Sequence, residues 1–188
     1  MTVARQLRYS YEDYLRALDD SAIKLEYSAG VIYAMAGGTL AHAELSAAAI
    51  GLLRQALPPG CTVFSSDAKV RVEASDFAGF PDVSVVCGER QTSRIDPNAL
   101  VNPSLLVEVT SRSTEDYDRG EKLLHYQRLP SVRAVLFISH RERRVTVVER
   151  SANGWETRDV GAGQQVVLTD PSVRLDVDAL YGTVALEP

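Results

Sequence analysis

The sequence predicts an α/β fold in which helices pack against a mixed β-sheet. Three apolar runs have the length and the β-branched content of buried strands: DVSVVC (82–87), SLLVEVT (104–110) and RAVLFIS (133–139). A helix-forming stretch from about Thr114 to Leu129 separates the second run from the third. The order strand, helix, strand indicates a crossover connection between two parallel neighbours. At 188 residues, we expect one domain covering 1–188.

The N-terminal third predicts a short helix, a hairpin and a long helix. Ser10, with two acidic residues just after it, is typical of a helix N-cap. The segment 24–35, KLEYSAGVIYAM, alternates around a tight turn at 28–30 and predicts two strands. The Ala- and Leu-rich stretch from Leu40 to Leu57 ends at two prolines and a glycine, which predicts the main core helix.

Shorter strands are predicted in the rest of the chain. They are CTVFSS (61–66), KVRVE (69–73), RVTVVER (144–150), WETRDV (155–160) and QVVL (165–168). We expect 76–81 to be a connection, 88–103 to be a polar loop, and the tail 173–182 to close with a helical turn.

Composition indicates a globular protein that is not embedded in a membrane. The chain is 45% hydrophobic and 24% charged, with a net charge of -5. No apolar run approaches the roughly 20 residues of a spanning helix, and the first residues lack a signal peptide's apolar stretch, so we expect a cytoplasmic protein. The acidic total argues against nonspecific coating of nucleic acid, although eight basic residues between Arg119 and Arg150 could form a local basic surface. A solvated face with a charged hairpin tip is the alternative.

The two cysteines, Cys61 and Cys87, each stand in a predicted strand and lack the clustered spacing of a zinc site. Because cytoplasmic thiols stay reduced, we expect both to be free and buried.

Two carboxylates stand at apolar strands in the middle of the chain. Asp82 opens DVSVVC, and Glu108 lies inside SLLVEVT, where an uncompensated charge would cost several kcal/mol. If these strands are neighbours, the two acids repel each other unless a cation lies between them, and oxygen ligands suit Mg²⁺ or Mn²⁺. In the alternative interpretation, Asp82 caps a turn and Glu108 pairs with an arginine.

The segments FPDVSVV (80–86) and LLVEVTSRSTEDYDRGEKLLHY (105–126) resemble the Uma2 family of the PD-(D/E)xK restriction-endonuclease-like superfamily. The resemblance extends from YEDYLRAL (11–18) to VTVVER (145–150) and includes KLEYSAGVIYAMAG (24–37). It implies a restriction-endonuclease-like mixed sheet flanked by helices, with additional N-terminal and C-terminal strands.

The resemblance also implies a catalytic site. Asp82 and Glu108 match the superfamily's two acids, which would hold Mg²⁺ or Mn²⁺. Two residues after the second acid, where the superfamily pattern has a lysine, this chain has Thr110. Lys122 matches a lysine displaced onto the following helix, whose N-cap we predict at Ser113 or Thr114.

Three further residues are predicted to support this site. Glu26 and His42 match the family's early acidic and histidine positions. Tyr126 shares a helix face with Lys122, although packing is the common role of a tyrosine at such a position.

The function that follows is a metal-dependent endonuclease hydrolysing phosphodiester bonds of DNA, and a homodimer would suit the cutting of two strands. Because fold resemblance does not guarantee activity, two alternatives remain. One is a noncatalytic nuclease-fold binding or assembly protein. The other is a metal-dependent hydrolase of small phosphate substrates.

Overall fold

The structure is a computed structural model that describes residues 8–35, 37–111 and 115–186. The helices are α1 (Tyr11–Asp19), α2 (Leu40–Ala56), α3 (Glu115–Tyr117), a π-helical turn (Asp118–Lys122), α4 (Leu123–Tyr126) and α5 (Val177–Tyr181). The strands are β1 (Leu25–Ser28), β2 (Val31–Ala34), β3 (Cys61–Ser65), β4 (Lys69–Val72), β5 (Phe77–Gly79), β6 (Val83–Cys87), β7 (Ala99–Leu100), β8 (Leu105–Val109), β9 (Ala134–Ile138), β10 (Arg144–Ser151), β11 (Gly154–Gly161), β12 (Gln165–Leu168) and β13 (Val173–Asp176).

The largest sheet has six strands in the order β11-β10-β9-β8-β6-β3. Its centre consists of the three apolar runs that the sequence singles out. Strands β8 and β9 are parallel and β6 runs antiparallel to β8, so the crossover prediction is confirmed. The predicted mixed α/β class is also confirmed.

A second, five-stranded sheet has the order β2-β1-β5-β4-β7. The hairpin of β1 and β2 forms as predicted, and its turn uses left-handed backbone at Ala29 and Gly30. The connection predicted at 76–81 is wrong in part, because 77–79 pairs with both β1 and β4 as β5. Strand β7 lies in the segment that we predicted to be a polar loop. The helical turn predicted to close the tail 173–182 forms as α5, and β13 precedes it.

Opposite faces of the six-stranded sheet bury two separate cores. On one face α2, α5 and the β12–β13 hairpin cover side chains such as Val107 and Leu136. On the other face β4, β5 and α4 cover Leu106 and Phe137. Because side chains alternate along a strand, Glu108 points to the second face, where the helix from 115 to 126 lies.

This helix contains a π-helical turn between α3 and α4, and both Asp118 and Lys122 in that turn are buried. Its described part ends at Tyr126, three residues before the predicted end. The predicted N-caps, Ser113 and Thr114, lie outside the described residues. A π turn widens the helix locally and occurs often at functional sites.

The prediction of two reduced cysteines is wrong in this structure. Cys61 of β3 and Cys87 of β6 face each other in the antiparallel register and form a disulfide. Sequence spacing gave no sign of the pair, because the two residues are 26 positions apart and meet only when their strands align.

Within the described ranges, no helix is long and apolar enough to cross a membrane.

Candidate active site

The buried carboxylate of Glu108 is the centre of a polar cluster under the helix from 115 to 126. Glu108 is only 3% exposed, and its Oε1 lies 3.0 Å from Lys122 Nζ. The Tyr126 hydroxyl donates a hydrogen bond of 2.7 Å to the same oxygen. Lys122 and Tyr126 are one helical turn apart, so one helix face supplies both donors. The alternative in which Glu108 pairs with an arginine is wrong.

Lys122 is surrounded by three acidic side chains and is itself 3% exposed. Besides Glu108, its Nζ contacts Glu26 Oε1 at 3.1 Å and Asp118 Oδ1 at 3.6 Å. The three acids come from β1, β8 and the π turn, so the lysine links both sheets to the helix. Among the described residues, three carboxylates therefore face one ammonium in this cluster.

Glu26 is fixed by the backbone as well as by the lysine. Its Oε1 accepts a hydrogen bond of 3.0 Å from the Phe80 backbone N–H. A Cβ at Gly79 would lie 2.8 Å from the same oxygen and 2.7 Å from the Phe77 ring. Only glycine therefore lets β5 pass this close to the buried acid.

Asp82 lies beside Glu108 at one edge of the six-stranded sheet. The register pairs Val83 with Val107, and extending it by one residue places Asp82 opposite Glu108. Asp82 Oδ2 accepts a 2.7 Å hydrogen bond from the Val109 backbone N–H and lies 3.2 Å from His42 Nε2. The histidine is carried by the first turns of α2, so this helix is tied to the same edge of the sheet.

Burial controls the electrostatics of this cluster. Burial raises the pKa of Glu108 to about 8, although Lys122 acts in the opposite direction. Burial alone would lower the pKa of Lys122, but the neighbouring carboxylates outweigh it and hold that pKa well above the usual value. Burial and Glu108 likewise raise the pKa of Tyr126 well above 10, so its hydroxyl stays a donor. The cluster therefore keeps its lysine charged and resists further negative charge.

A cleft of about 600 Å³ opens onto this edge of the sheet. Its polar wall includes Asp82, Glu108, Lys122 and His42. The cleft is also lined by small and apolar side chains of α2 and neighbouring segments, among them Ala43, Ala47, Ile50 and Phe80.

The donor set fits a divalent cation with few protein ligands. For the described part of the chain, the contacts of Glu108 fall on Oε1 and those of Asp82 fall on Oδ2. Within the described ranges, the other oxygen of each acid, Glu108 Oε2 and Asp82 Oδ1, makes no hydrogen bond or ion pair. Over the same residues, no group of three or more His, Cys, Asp or Glu side chains is arranged around a common point. Mg²⁺ tolerates this, because it commonly binds one or two carboxylates and completes its shell with water and phosphate oxygens.

The structure brings together all six residues that the sequence singles out: Asp82, Glu108, Lys122, Glu26, His42 and Tyr126. Their chemical roles stay predictions. Asp118 was missed, although its spacing of four residues from Lys122 on one helix was a signal for an ion pair. His140, which the sequence analysis did not single out, is also buried, with 2% of its surface exposed.

Comparisons with known proteins give the same picture of the fold. The family model Uma2, described as "Putative restriction endonuclease", matches residues 11–179. The uncharacterized protein slr1290 of Synechocystis sp. is 32% identical over 180 residues, covering 95% of this chain and 94% of the relative. A second Synechocystis protein, the uncharacterized sll1609, is 28% identical over 139 residues, covering 73% and 78% respectively.

A solved structure shares the fold across nearly its full length. This crystal structure, of "a putative nuclease belonging to DUF820 from Anabaena variabilis", matches with a TM-score of 0.76. The match covers 93% of this chain and 98% of the other at 16% identity. At that identity the likeness concerns the fold alone.

Proposed function

The chain belongs to the Uma2 family, and from that premise we propose that it is a metal-dependent endonuclease that hydrolyses phosphodiester bonds of DNA. The observation that carries the proposal is the contact of Lys122 with Glu108 at 3.0 Å, beside Asp82 on the wall of an open cleft. Two acids and a lysine at the end of a central strand supply the groups that phosphodiester hydrolysis needs. The uncommitted oxygens of both acids support this assignment.

In this proposal Asp82 and Glu108 hold Mg²⁺ or Mn²⁺. When bound, such an ion polarises the phosphodiester and lowers the pKa of a coordinated water. The backbone N–H of Val109 and the Tyr126 hydroxyl hold the two carboxylates in place through Oδ2 and Oε1. His42 restrains Asp82 from the side of α2. These contacts orient the acids before any ligand arrives, which lowers the cost of assembling the site.

Lys122 provides the positive charge at the reacting phosphate. Glu26 and Asp118 hold its ammonium from two sides, and Lys122 lines the cleft in which the phosphate would lie. A protonated lysine cannot bind the metal, but it can stabilise the negative charge that develops on the phosphoryl oxygens. A homodimer would bring two such sites to the two strands of a duplex.

The test is cleavage of supercoiled plasmid and single-stranded DNA with Mg²⁺ or Mn²⁺, combined with calorimetric titration of Mn²⁺. We expect cutting by the wild type, and we expect Asp82→Asn and Glu108→Gln to lose activity and Mn²⁺ binding together. Glu44→Gln is the matched control, since Glu44 is an exposed acid on the same helix as His42.

Three results would contradict the proposal. If a variant that combines Asp82→Asn with Glu108→Gln bound Mn²⁺ as well as the wild type does, the metal assignment would be wrong. Hydrolysis of nucleotides without cutting of DNA would favour a hydrolase of small phosphates. DNA binding without turnover in either metal would favour the noncatalytic binding protein.

A further inference from the structure

Three arginines, Arg141, Arg143 and Arg144, lie in the turn between β9 and β10 or at the first residue of β10, and their contacts differ. Arg143 directs Nη1 to Asp178 at 3.3 Å and Nη2 to the Gly182 carbonyl at 2.8 Å. Arg144 directs its two terminal nitrogens to carboxylates of β11 and of the turn, at 3.2 and 3.0 Å. Both guanidinium groups are therefore engaged by contacts within the fold.

Arg141 is held from behind and presents its terminal nitrogens outward. Its Nε donates to His140 Nε2 at 3.1 Å. Among the described residues, its terminal nitrogens make one ionic contact, between Nη2 and Glu115 at 3.9 Å, and Glu115 is also bound by Arg119 at 3.0 Å. The side chain is 52% exposed. Arg141 is thus anchored through one nitrogen while the fork that binds anions remains accessible.

His140, which accepts the hydrogen bond from Arg141, also contacts Thr110, the residue that follows β8. His140 is buried, and its Nδ1 lies 3.0 Å from Thr110 Oγ1, while the Thr110 hydroxyl donates to the Ile138 carbonyl. Since Arg141 donates to Nε2, the ring carries its proton on Nδ1 and donates it to Thr110. Thr110 occupies the position where the superfamily pattern has a lysine, so here a hydroxyl, an imidazole and an arginine extend from that position to the surface.

The sheet topology places Arg141 at the same edge as the two acids. Strands β8 and β9 are parallel, so Thr110 and His140 both follow the ends of their strands at one edge of the sheet, where their side chains meet. Asp82 stands at the start of the antiparallel β6 and therefore at the same edge. Adjacent strands lie about 4.8 Å apart, so the exit of β9 is one strand spacing from that of β8.

A second arginine, Arg119, also lies near the strand that carries Glu108. Its guanidinium lies 5.2 Å from the centre of the Phe137 ring, and Phe137 pairs directly with Glu108 in the register of β8 and β9. Glu115 lies 3.0 Å from this arginine, so part of its charge is compensated. Arg141 is the more exposed of the two and the better placed to meet a polyanion.

We propose that Arg141, held by His140 and Thr110 at the ends of β8 and β9, binds a backbone phosphate that flanks the phosphodiester cut at Asp82 and Glu108. This inference rests on the proposed function and adds the direction in which the nucleic-acid strand leaves the cleft. A small diester has no flanking phosphate and gains nothing from Arg141.

The test compares Arg141→Ala with Arg143→Ala, a neighbouring arginine of similar exposure whose guanidinium is engaged within the fold. Binding of a fluorescent duplex in Ca²⁺ is measured by anisotropy from roughly 50 to 200 mM salt. We expect Arg141→Ala to bind about 10-fold more weakly at low salt, because it loses a charge-assisted hydrogen bond. The slope of log K against log salt should fall by about 0.9, the value for one phosphate contact. Arg143→Ala should keep the wild-type slope.

A second measurement separates binding of the flanking phosphate from damage to the site. Arg141→Ala should hydrolyse bis(p-nitrophenyl) phosphate at the wild-type rate while its kcat/KM on an oligonucleotide falls about 10-fold. His140→Ala should lower the salt slope in the same way and spare the small diester. An unchanged salt slope in Arg141→Ala, with DNA bound and cut by the wild type, overturns this inference alone. A wild type that neither binds nor cuts DNA overturns the proposed function as well.

Discussion

At the scale of single residues, the site is explained by the cost of burying charge. Glu108 sits in an apolar strand, and such an acid requires a compensating group nearby. Lys122 supplies one positive charge, but Glu26 and Asp118 add two more carboxylates around it. Removing one partner of such a cluster leaves uncompensated charge in the interior, which is the costly case for buried ion pairs.

Lys122→Met should therefore reveal both a structural and a chemical role. We expect the free energy of unfolding of the metal-free protein to fall by about 3 to 5 kcal/mol, because the buried carboxylates lose their cation. Mn²⁺ should restore more stability to this variant than to the wild type, since the ion replaces the missing positive charge. DNA cleavage should be lost while Mn²⁺ binding persists.

Urea unfolding with and without Mn²⁺ measures the first two effects, and plasmid cleavage measures the third. Lys24→Met is the control, because Lys24 also lines the cleft but pairs with the exposed Asp67. Wild-type stability together with wild-type cleavage in Lys122→Met would show that the lysine has neither role.

At the scale of elements, the sequence predicts the parts that have strong local patterns. Ser10 and Asp13 form the capping box of α1, and α2 covers Leu40–Ala56 as its composition indicates. The strands that were missed are short or depend on distant partners. Strand β5 has three residues and ends at Gly79, so its pairing is decided by β1 and β4 rather than by its own pattern. The π turn was also not predicted from the local sequence. Its Lys122 contacts acids of two other elements, Glu26 of β1 and Glu108 of β8.

His125 contributes to the attachment of α4 to the five-stranded sheet. Its ring stacks on Phe77 with centroids 4.4 Å apart, and Nδ1 lies 2.8 Å from Ser75 Oγ. Burial lowers the pKa of His125 below its usual 6.5, although Glu121 acts in the opposite direction. The unfolded chain therefore binds more protons than the folded chain between the lowered pKa and 6.5.

It follows that His125 contributes a loss of stability as the pH falls through 6.5 toward its lowered pKa. We expect the urea midpoint of the wild type to drop between about pH 7.5 and pH 5.5 by more than that of His125→Gln, which has no titrating ring. The difference between the two proteins isolates this residue from other groups that titrate in the same range. Equal shifts of the urea midpoint in both proteins would mean that folding does not lower the pKa of His125.

At the scale of the whole molecule, residues far apart in sequence form one site. Glu26 comes from the five-stranded sheet, Asp82 and Glu108 from the six-stranded sheet, and Lys122 from the helix between β8 and β9. Periodicity predicts the elements but gives no distance between them. The resemblance to the Uma2 family supplied the grouping, and the contacts are seen only in the structure. The missed disulfide has the same cause, because strand β3 had no predicted neighbour.

The Cys61–Cys87 bond links the edge strand β3 to β6, the strand that Asp82 immediately precedes. The two cysteines are 26 residues apart, and the loop that their bond closes contains β4 and β5. Alkylation of the unfolded, unreduced protein should recover neither thiol, and mass spectrometry should show both after reduction. In the chain-entropy account a loop of this length contributes about 3 to 4 kcal/mol, so Cys61→Ser with Cys87→Ser should lose about that much unfolding free energy. The same double variant should keep Mn²⁺ binding, because Asp82 is also held by the Val109 N–H and by the pairing of β6 with β8. Recovery of both thiols without reductant would restore the expectation of free cysteines, and the site would then depend on strand pairing alone.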